Sequence, residues 1–321
     1  MNKNTSKGRI LLSLTGLDPD VWMRELTRRA PERAVVFEPD GEADASIEYA
    51  VVWKPKPGAL AKLPNLKAIF SIGAGVDHVF SDPDLPDVPI VRAVSEDLTA
   101  RMSEFVVWQV LDHHRLGPRY RKQQVERIWE EDRSQPAASE ITVGIMGLGE
   151  LGTDAAAKLR CIGFNVSGWS RTPKSVDGVT CHAGADGLGP FLAGADIFVV
   201  LLPLTPDTRE ILAKDLFARM TRRGPLGAPI LINAGRGGLQ NEADILAALD
   251  SGQLSAATLD VFQQEPLATD SPFWTHPKVT LTPHAAATSV PISLIAPMVT
   301  QMEAHDRGEP LVNLVDRKAG Y

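Results

Sequence analysis

Cysteine is nearly absent from this chain of 321 residues, which holds only Cys161 and Cys181. Two thiols cannot build a disulfide framework, so both are expected to be reduced. Cys161 falls in a helical stretch after a glycine-rich turn and is expected in the core, not as a nucleophile. Long apolar runs are lacking too: the longest, Ile197 to Leu202, stops at Pro203. That is far short of the roughly 20 residues that cross a membrane, so no membrane span or membrane partner is expected. The start, "MNKNTSKGRI", is polar and has no apolar stretch of the kind a secretion signal carries, which points to the cytoplasm. There is no basic run, and a formal net charge of -7 argues against nucleic acid as the main partner, though not against a local positive pocket. Among the histidines, His113 and His114 lie on a long helical pattern, while His78, His182, His276 and His305 sit in loop-like or terminal stretches. No metal-ligand spacing links them, and no metal is expected. A G-x-S-x-G nucleophile elbow is also missing.

With 44% hydrophobic and 23% charged residues, the composition is that of an ordinary globular chain long enough for two domains. "RILLSL" reads as a strand, and Pro19 to Ala30 as a helix with Asp18 as its N-cap and proline at its first position. The alternation continues through "AVVFEP", "YAVVW", the short helical "GALAKLP", "LKAIFSIG" and "PIVRAV". Strands alternating with helices imply a parallel sheet. Residues 99 to 131 carry one long helical pattern, broken at Pro136, with a domain boundary near residue 102. A second alternation then runs through "ITVGIMG", "FNVSGWS", "ADIFVVLLP", "APILINAG", "AATLDVF" and "KVTLTP". The last helical stretch, Pro291 to Asp306, follows this second sheet and can return to the first domain.

"GIMGLGELG" places Gly147-x-Gly149-x-x-Gly152 directly after a strand and at the opening of a helix, the context that makes this pattern a dinucleotide signal. Gly147 permits the tight turn, Gly149 lets backbone approach a pyrophosphate, and Gly152 allows close helix packing. Leu148, Glu150 and Leu151 complete the loop. An acidic residue at the end of the next strand would suit the ribose hydroxyl of NAD, and none is there. "GWSRTPK" instead offers Ser170, Arg171, Thr172 and Lys174, which suit a 2'-phosphate. NADP(H) is therefore the expected cofactor, with NAD(H) the other option.

"LINAGRGGLQ" sets Arg236 at the carboxyl end of a strand, where open α/β sheets bind ligands, with Asn233 before it and Gly235, Gly237 and Gly238 around it. An always-charged guanidinium there can grip a substrate carboxylate and polarise a carbonyl, or it can close a surface ion pair. The flanking glycines leave room for something to approach. "LDVFQQEPL" presents Asp260 and Glu265 at the next strand end, and "VTLTPHAAA" presents His284 at another. A carboxylate beside an imidazole favours the charged ring, which can then give a proton to a carbonyl oxygen as hydride reaches its carbon.

With these stretches in place, the chain resembles the D-2-hydroxyacid dehydrogenase family from about residue 50 to its end. "LKAIFSIGAGVDH", "GIMGLGELG", "LLPLTPDT", "INAGRGG", "SPFWTHPKVTLTPHAA" and "VDRKAGY" occur in the family's order. Within the family the likeness is greatest to the branch that reduces glyoxylate and hydroxypyruvate, through "VVWKPKP", "WSRTPK" and "VDRKAGY". The resemblance implies two Rossmann-like or flavodoxin-like parallel-sheet α/β domains with the active site in the cleft: a substrate domain of residues 1–102 and 287–321, and a dinucleotide domain of residues 103–286. It implies that Arg236, Glu265 and His284 are catalytic and that the amides of Gly73, Ala74, Gly75 and Val76 hold the substrate carboxylate, with Trp53 and Lys54 at the substrate's border. It places Asp260, Leu202, Pro203, Thr208, Ala234 and Gly235 along the cofactor and Met102 at the hinge, and it implies a homodimer. Gly235 stands where the family often has alanine or serine, and the first 40 or so residues match only in pattern.

The reading is thus an NADPH-dependent reductase of small 2-oxo acids. An NAD-linked dehydrogenase of another D-2-hydroxy acid is the second enzyme reading, and Arg171 speaks against it. A nucleotide-sensing binding protein shares the fold and the trio, but the chain lacks long disordered flanks. A plain scaffold would bind neither dinucleotide.

Overall fold

In the computed structural model, which describes residues 7–37, 43–220 and 224–321, the alternating apolar runs form two parallel sheets. The polar start through Ser6 and the end of the "AVVFEP" run lie outside the described residues. The chain divides into two compact units, Met1–Leu98 with Ser289–Tyr321, and Thr99–Thr288. The sequence reading set the joins after residues 102 and 286.

In the first unit, β1 (Arg9–Leu14), β2 (Val35–Phe37), β3 (Ile47–Trp53), β4 (Ala68–Ser71) and β5 (Ile90–Val91) lie in the order β2-β1-β3-β4-β5, all parallel. Strands covered on both faces read as continuous apolar runs, and β4 is buried at every position. Helix α1 (Pro19–Arg29) starts as its sequence requires, with the Asp18 carboxylate accepting the Asp20 N–H at 3.0 Å. "GALAKLP" closes to a single 3-10 turn, Leu60–Lys62. A short helix α2 (Asp77–Phe80) follows β4. The closing helix, Pro291–Asp306, belongs to this unit and is anchored by charge. The buried Arg33 guanidinium bonds Glu48 at 2.8 Å and also Asp306, whose carboxylate accepts the Tyr49 hydroxyl at 2.9 Å.

In the second unit the long helical pattern splits into α3 (Glu96–His114), within which the division of the chain falls, and α4 (Gly117–Glu126). Leu116 takes a left-handed φ of 58° between them. Pro118 in the first turn of α4 has no N–H to give to the carbonyl four residues earlier and its ring would crowd that carbonyl, so the pattern cannot continue as one rod. Next come β6 (Thr142–Met146), α5 (Glu150–Ile162), β7 (Asn165–Ser170), β8 (Thr180–Ala183), α6 (Gly184–Gly194), β9 (Ile197–Val200) and α7 (Lys214–Phe217). The unit closes with β10 (Ile230–Asn233), α8 (Glu242–Asp250), β11 (Ala256–Leu259) and β12 (Val279–Leu281). The sheet order is β12-β11-β10-β9-β6-β7-β8, again all parallel. The sequence reading omitted β8: "TCHA" is an edge strand with no fully buried residue and so lacks an apolar signature.

Cys161 corrects its expectation. It is exposed, because α5 buries the face of Gly152, Ala155, Ala156 and Leu159, and a position two residues past Leu159 lies on the opposite side. Met102 packs into the core of this unit. Between α3 and β11 runs a buried polar row: His113 Nε2 lies 2.8 Å from Thr258 Oγ1, which donates to Gln109 Oε1 at 3.0 Å. Burial pushes the His113 imidazole down to about 4. Among the described residues no helix is long and apolar enough to cross a membrane.

Candidate active site

Parallel sheets bind ligands at the carboxyl ends of the strands where the strand order reverses. In the second unit that point lies between β6, which continues to β7, and β9, which starts the run to β12. The glycine loop leaves β6 there. Gly147 has a φ of 108°, and a Cβ on it would sit 2.8 Å from the Leu201 carbonyl oxygen after β9. A Cβ on Gly152 would fall 1.9 Å from the Gly147 oxygen, so the first turn of α5 can close on the loop only with glycine. Gly149 differs: a Cβ there would meet nothing within 4 Å. Open space at that position, at the N-terminus of a 13-residue helix, fits a pyrophosphate approaching exposed amides.

At the end of β7, Ser170 is buried and its hydroxyl donates to the Thr172 carbonyl at 2.8 Å, which shapes the turn. Arg171, Thr172 and Lys174 are exposed beyond it. Across the reversal point, the Thr208 hydroxyl donates to the Pro203 carbonyl at 2.7 Å and folds the loop after β9. Leu148, Leu202 and Ala234 are buried apolar residues near these strand ends, whereas Glu150 is exposed and Leu151 half-buried.

Arg236, Glu265 and His284 follow β10, β11 and β12, three neighbouring strands whose ends Asn233, Leu259 and Leu281 are paired in register. His284 Nδ1 lies 2.9 Å from one Glu265 oxygen and 3.1 Å from the other. A carboxylate on Nδ1 sets the ring's orientation and leaves Nε2 to carry the exchangeable proton. His284 has a φ of 52°, a conformation that only neighbouring contacts can hold in a residue bearing a side chain. Asp260 supplies them. Its carbonyl accepts the His284 N–H at 2.8 Å, and its buried carboxylate accepts Thr282 Oγ1 at 2.6 Å, Ala285 N–H at 2.8 Å and Ala286 N–H at 3.1 Å. That clamp is the main feature the sequence does not reveal, because Asp260 and His284 lie at the ends of different strands and only an aspartate at a strand end was there to read.

The Arg236 guanidinium donates to the Gly235 carbonyl at 2.8 Å. The glycines around it serve the chain itself. A Cβ on Gly237 would lie 1.9 Å from the Phe262 carbonyl oxygen, and one on Gly238 would lie 2.8 Å from the Leu204 side chain. The space expected for an approaching group is, at Gly237, filled by the neighbouring backbone.

In the first unit the order reverses between β1 and β3, and Trp53 and Lys54 stand at the end of β3. A Cβ on Gly73 would be 2.5 Å from the Trp53 ring, so the loop after β4 lies directly on the indole. The Trp53 ring in turn packs 4.6 Å from that of His78. The Gly73 N–H is already bonded to Ser71 Oγ at 3.1 Å. The amides of Ala74, Gly75 and Val76 make no such bond among the described residues.

The sequence profile described as "D-isomer specific 2-hydroxyacid dehydrogenase, NAD binding domain" matches residues 107–286. The glyoxylate/hydroxypyruvate reductase A of Yersinia enterocolitica is 39% identical over 306 residues, 94% of this chain and 96% of that one. Among solved structures, an NADPH-dependent glyoxylate/hydroxypyruvate reductase from Sinorhizobium meliloti in complex with NADP and sulfate is 47% identical, with a TM-score of 0.93 over 98% of this chain and 100% of that one. A D-isomer specific 2-hydroxyacid dehydrogenase from Xanthobacter autotrophicus in complex with NADPH and MES is 39% identical, with a TM-score of 0.92 over 98% of this chain and 100% of that one. This chain belongs to the D-isomer specific 2-hydroxyacid dehydrogenase family.

Proposed function

We propose that this oxidoreductase uses NADPH to reduce small 2-oxo acids, glyoxylate and hydroxypyruvate among them, to 2-hydroxy acids. The observation that carries this reading is the His284–Glu265 pair at 2.9 Å, one strand end from Arg236, in a chain 47% identical to a reductase of those acids. Bound NADPH supplies the hydride. The open Gly149 position and the α5 N-terminus suit its pyrophosphate, and the carboxylate-free turn with Arg171, Thr172 and Lys174 suits its 2'-phosphate.

The protein's own part is binding, orientation and proton transfer. Arg236 offers a planar fork to the substrate carboxylate and positive charge near its carbonyl. Within the first unit, the amides of Ala74, Gly75 and Val76, on the loop that lies against Trp53, are donors of the kind a carboxylate takes. His284 releases the Nε2 proton to the carbonyl oxygen, and Glu265, 2.9 Å from Nδ1, holds the ring in the orientation for that transfer. Asp260 keeps His284 in its strained conformation.

Steady-state rates with glyoxylate, hydroxypyruvate and pyruvate, each with NADPH and NADH, test the reading. Turnover of the first two, faster with NADPH, is expected. Binding of NADPH without turnover of any 2-oxo acid would instead make the chain a nucleotide-sensing protein.

The reading includes a cytoplasmic homodimer. It is supported by apolar side chains left in water on and just after α4, where Val125 is 84% and Trp129 103% exposed. Light scattering of the purified protein at twice the mass of one chain is the expected result.

A further inference from the structure

We infer that the buried amide pair Asn233–Gln240 is a positioning element that ties the Arg236 loop to the strand end carrying Glu265; the inference rests on the reductase reading above. Both side chains are wholly buried at 0% exposure, where apolar residues of the same volume would pack without the penalty of desolvating amides. Asn233 Nδ2 donates to Gln240 Oε1 at 2.8 Å and to the Arg236 carbonyl at 3.2 Å. Asn233 Oδ1 accepts the Gly235 N–H at 3.1 Å. One side chain therefore holds the backbone on both sides of the Gly235–Arg236 peptide. Reversing the amide would set its oxygen against two acceptors, so the network admits a single orientation.

Gln240 carries the link across to the next strand. Its Nε2 donates to the Val261 carbonyl at 2.9 Å, two residues past the end of β11. The same segment then reaches the acid, since the Phe262 N–H donates to Glu265 Oε1 at 3.3 Å. Gln263 returns the contact by donating from Nε2 to the Gln240 carbonyl at 2.7 Å. The backbones also touch, because Gly237 sits where a Cβ would strike the Phe262 carbonyl at 1.9 Å. A hydrocarbon could fill this volume but could not set the register between the two loops. That register determines where a guanidinium and a Glu265-supported imidazole stand relative to one another, and catalytic rates are steep in such distances.

The test uses the full chain with NADPH and glyoxylate. Gln240→Met keeps the volume and removes the amide. Gln240→Glu, when protonated, restores an acceptor for Asn233 and an O–H for the Val261 carbonyl; when ionised, it sets charge against that carbonyl. The expected results are an NADPH dissociation constant within about twofold of the parent in both variants and a kcat/KM for glyoxylate lowered about 30-fold in Gln240→Met. The activity of Gln240→Glu relative to the parent should rise as pH falls, while that of Gln240→Met stays flat. A merely structural role would lower the unfolding temperature and leave kcat/KM per folded molecule within twofold, and that result overturns the inference. If Gln240→Met does not fold, the pH dependence of Gln240→Glu decides, and its absence is equally fatal. A parent that consumes no NADPH defeats the reductase reading and this inference with it; an active parent with unaffected variants defeats this inference alone.

Discussion

Acid stability of the second unit should turn on His113. The ring is 4% exposed, and its Nε2 faces Thr258 Oγ1, which spends its own proton on Gln109 Oε1. Nε2 must therefore donate, and the folded protein keeps this histidine neutral down to about 4 against an ordinary value of 6.5. As pH falls below about 6.5, the unfolded chain takes up a proton there that the folded chain refuses, and stability is lost until the folded ring also charges near 4. The gap corresponds to about 3 kcal/mol in full, about 2 kcal/mol of it by pH 5, and nothing above pH 7. Carboxylates held low by cationic partners, Asp306 by Arg33 and Glu48 by Lys67 and Arg33, also destabilise the protein in acid, so the measurement has to be a difference. His113→Gln removes the titrating group alone. Urea unfolding of parent and variant between pH 7.5 and 4, read by pulsed hydrogen exchange in the peptide containing β11, reports the second unit. The stability of the parent relative to the variant should fall by about 3 kcal/mol across that range. Parallel curves would falsify the assignment of the acid sensitivity to this ring.

Arg236→Lys keeps the charge but loses the planar fork, and kcat/KM for glyoxylate should fall by about 100-fold or more with NADPH binding retained; a loss under threefold would contradict the carboxylate role. Arg171→Ala should weaken kcat/KM with NADPH by about tenfold and leave the value with NADH near the parent's, whereas equal losses with both cofactors would count against a 2'-phosphate contact. Arg33→Ala removes the buried cation from Glu48 and Asp306, leaves them the more exposed Lys67, and should destabilise the first unit by about 2–3 kcal/mol in urea unfolding; a change under 1 kcal/mol would show that the closing helix is held by its apolar face.

Local chemistry was legible in the sequence wherever a residue type has few uses. Asp18 before Pro19 specified a helix start, the apolar runs specified buried parallel strands, and the glycine spacing after "ITVGIM" specified a tight turn into a helix. Arg236, Glu265 and His284 could be assigned to strand ends for the same reason. The sequence left β8 unseen because an edge strand need not be apolar; the break at Leu116 was marked by Gly117-Pro118 but masked by helical periodicity on both sides. What only the tertiary structure decided is which groups meet across neighbouring strands. Asp260 clamps the turn of His284 from one strand away, Gln240 reaches Val261 across 21 positions of sequence, and the space at Gly237 belongs to Phe262. Hydrogen-bond partners distant in sequence are set by sheet order and register, and no periodicity along a single segment encodes either.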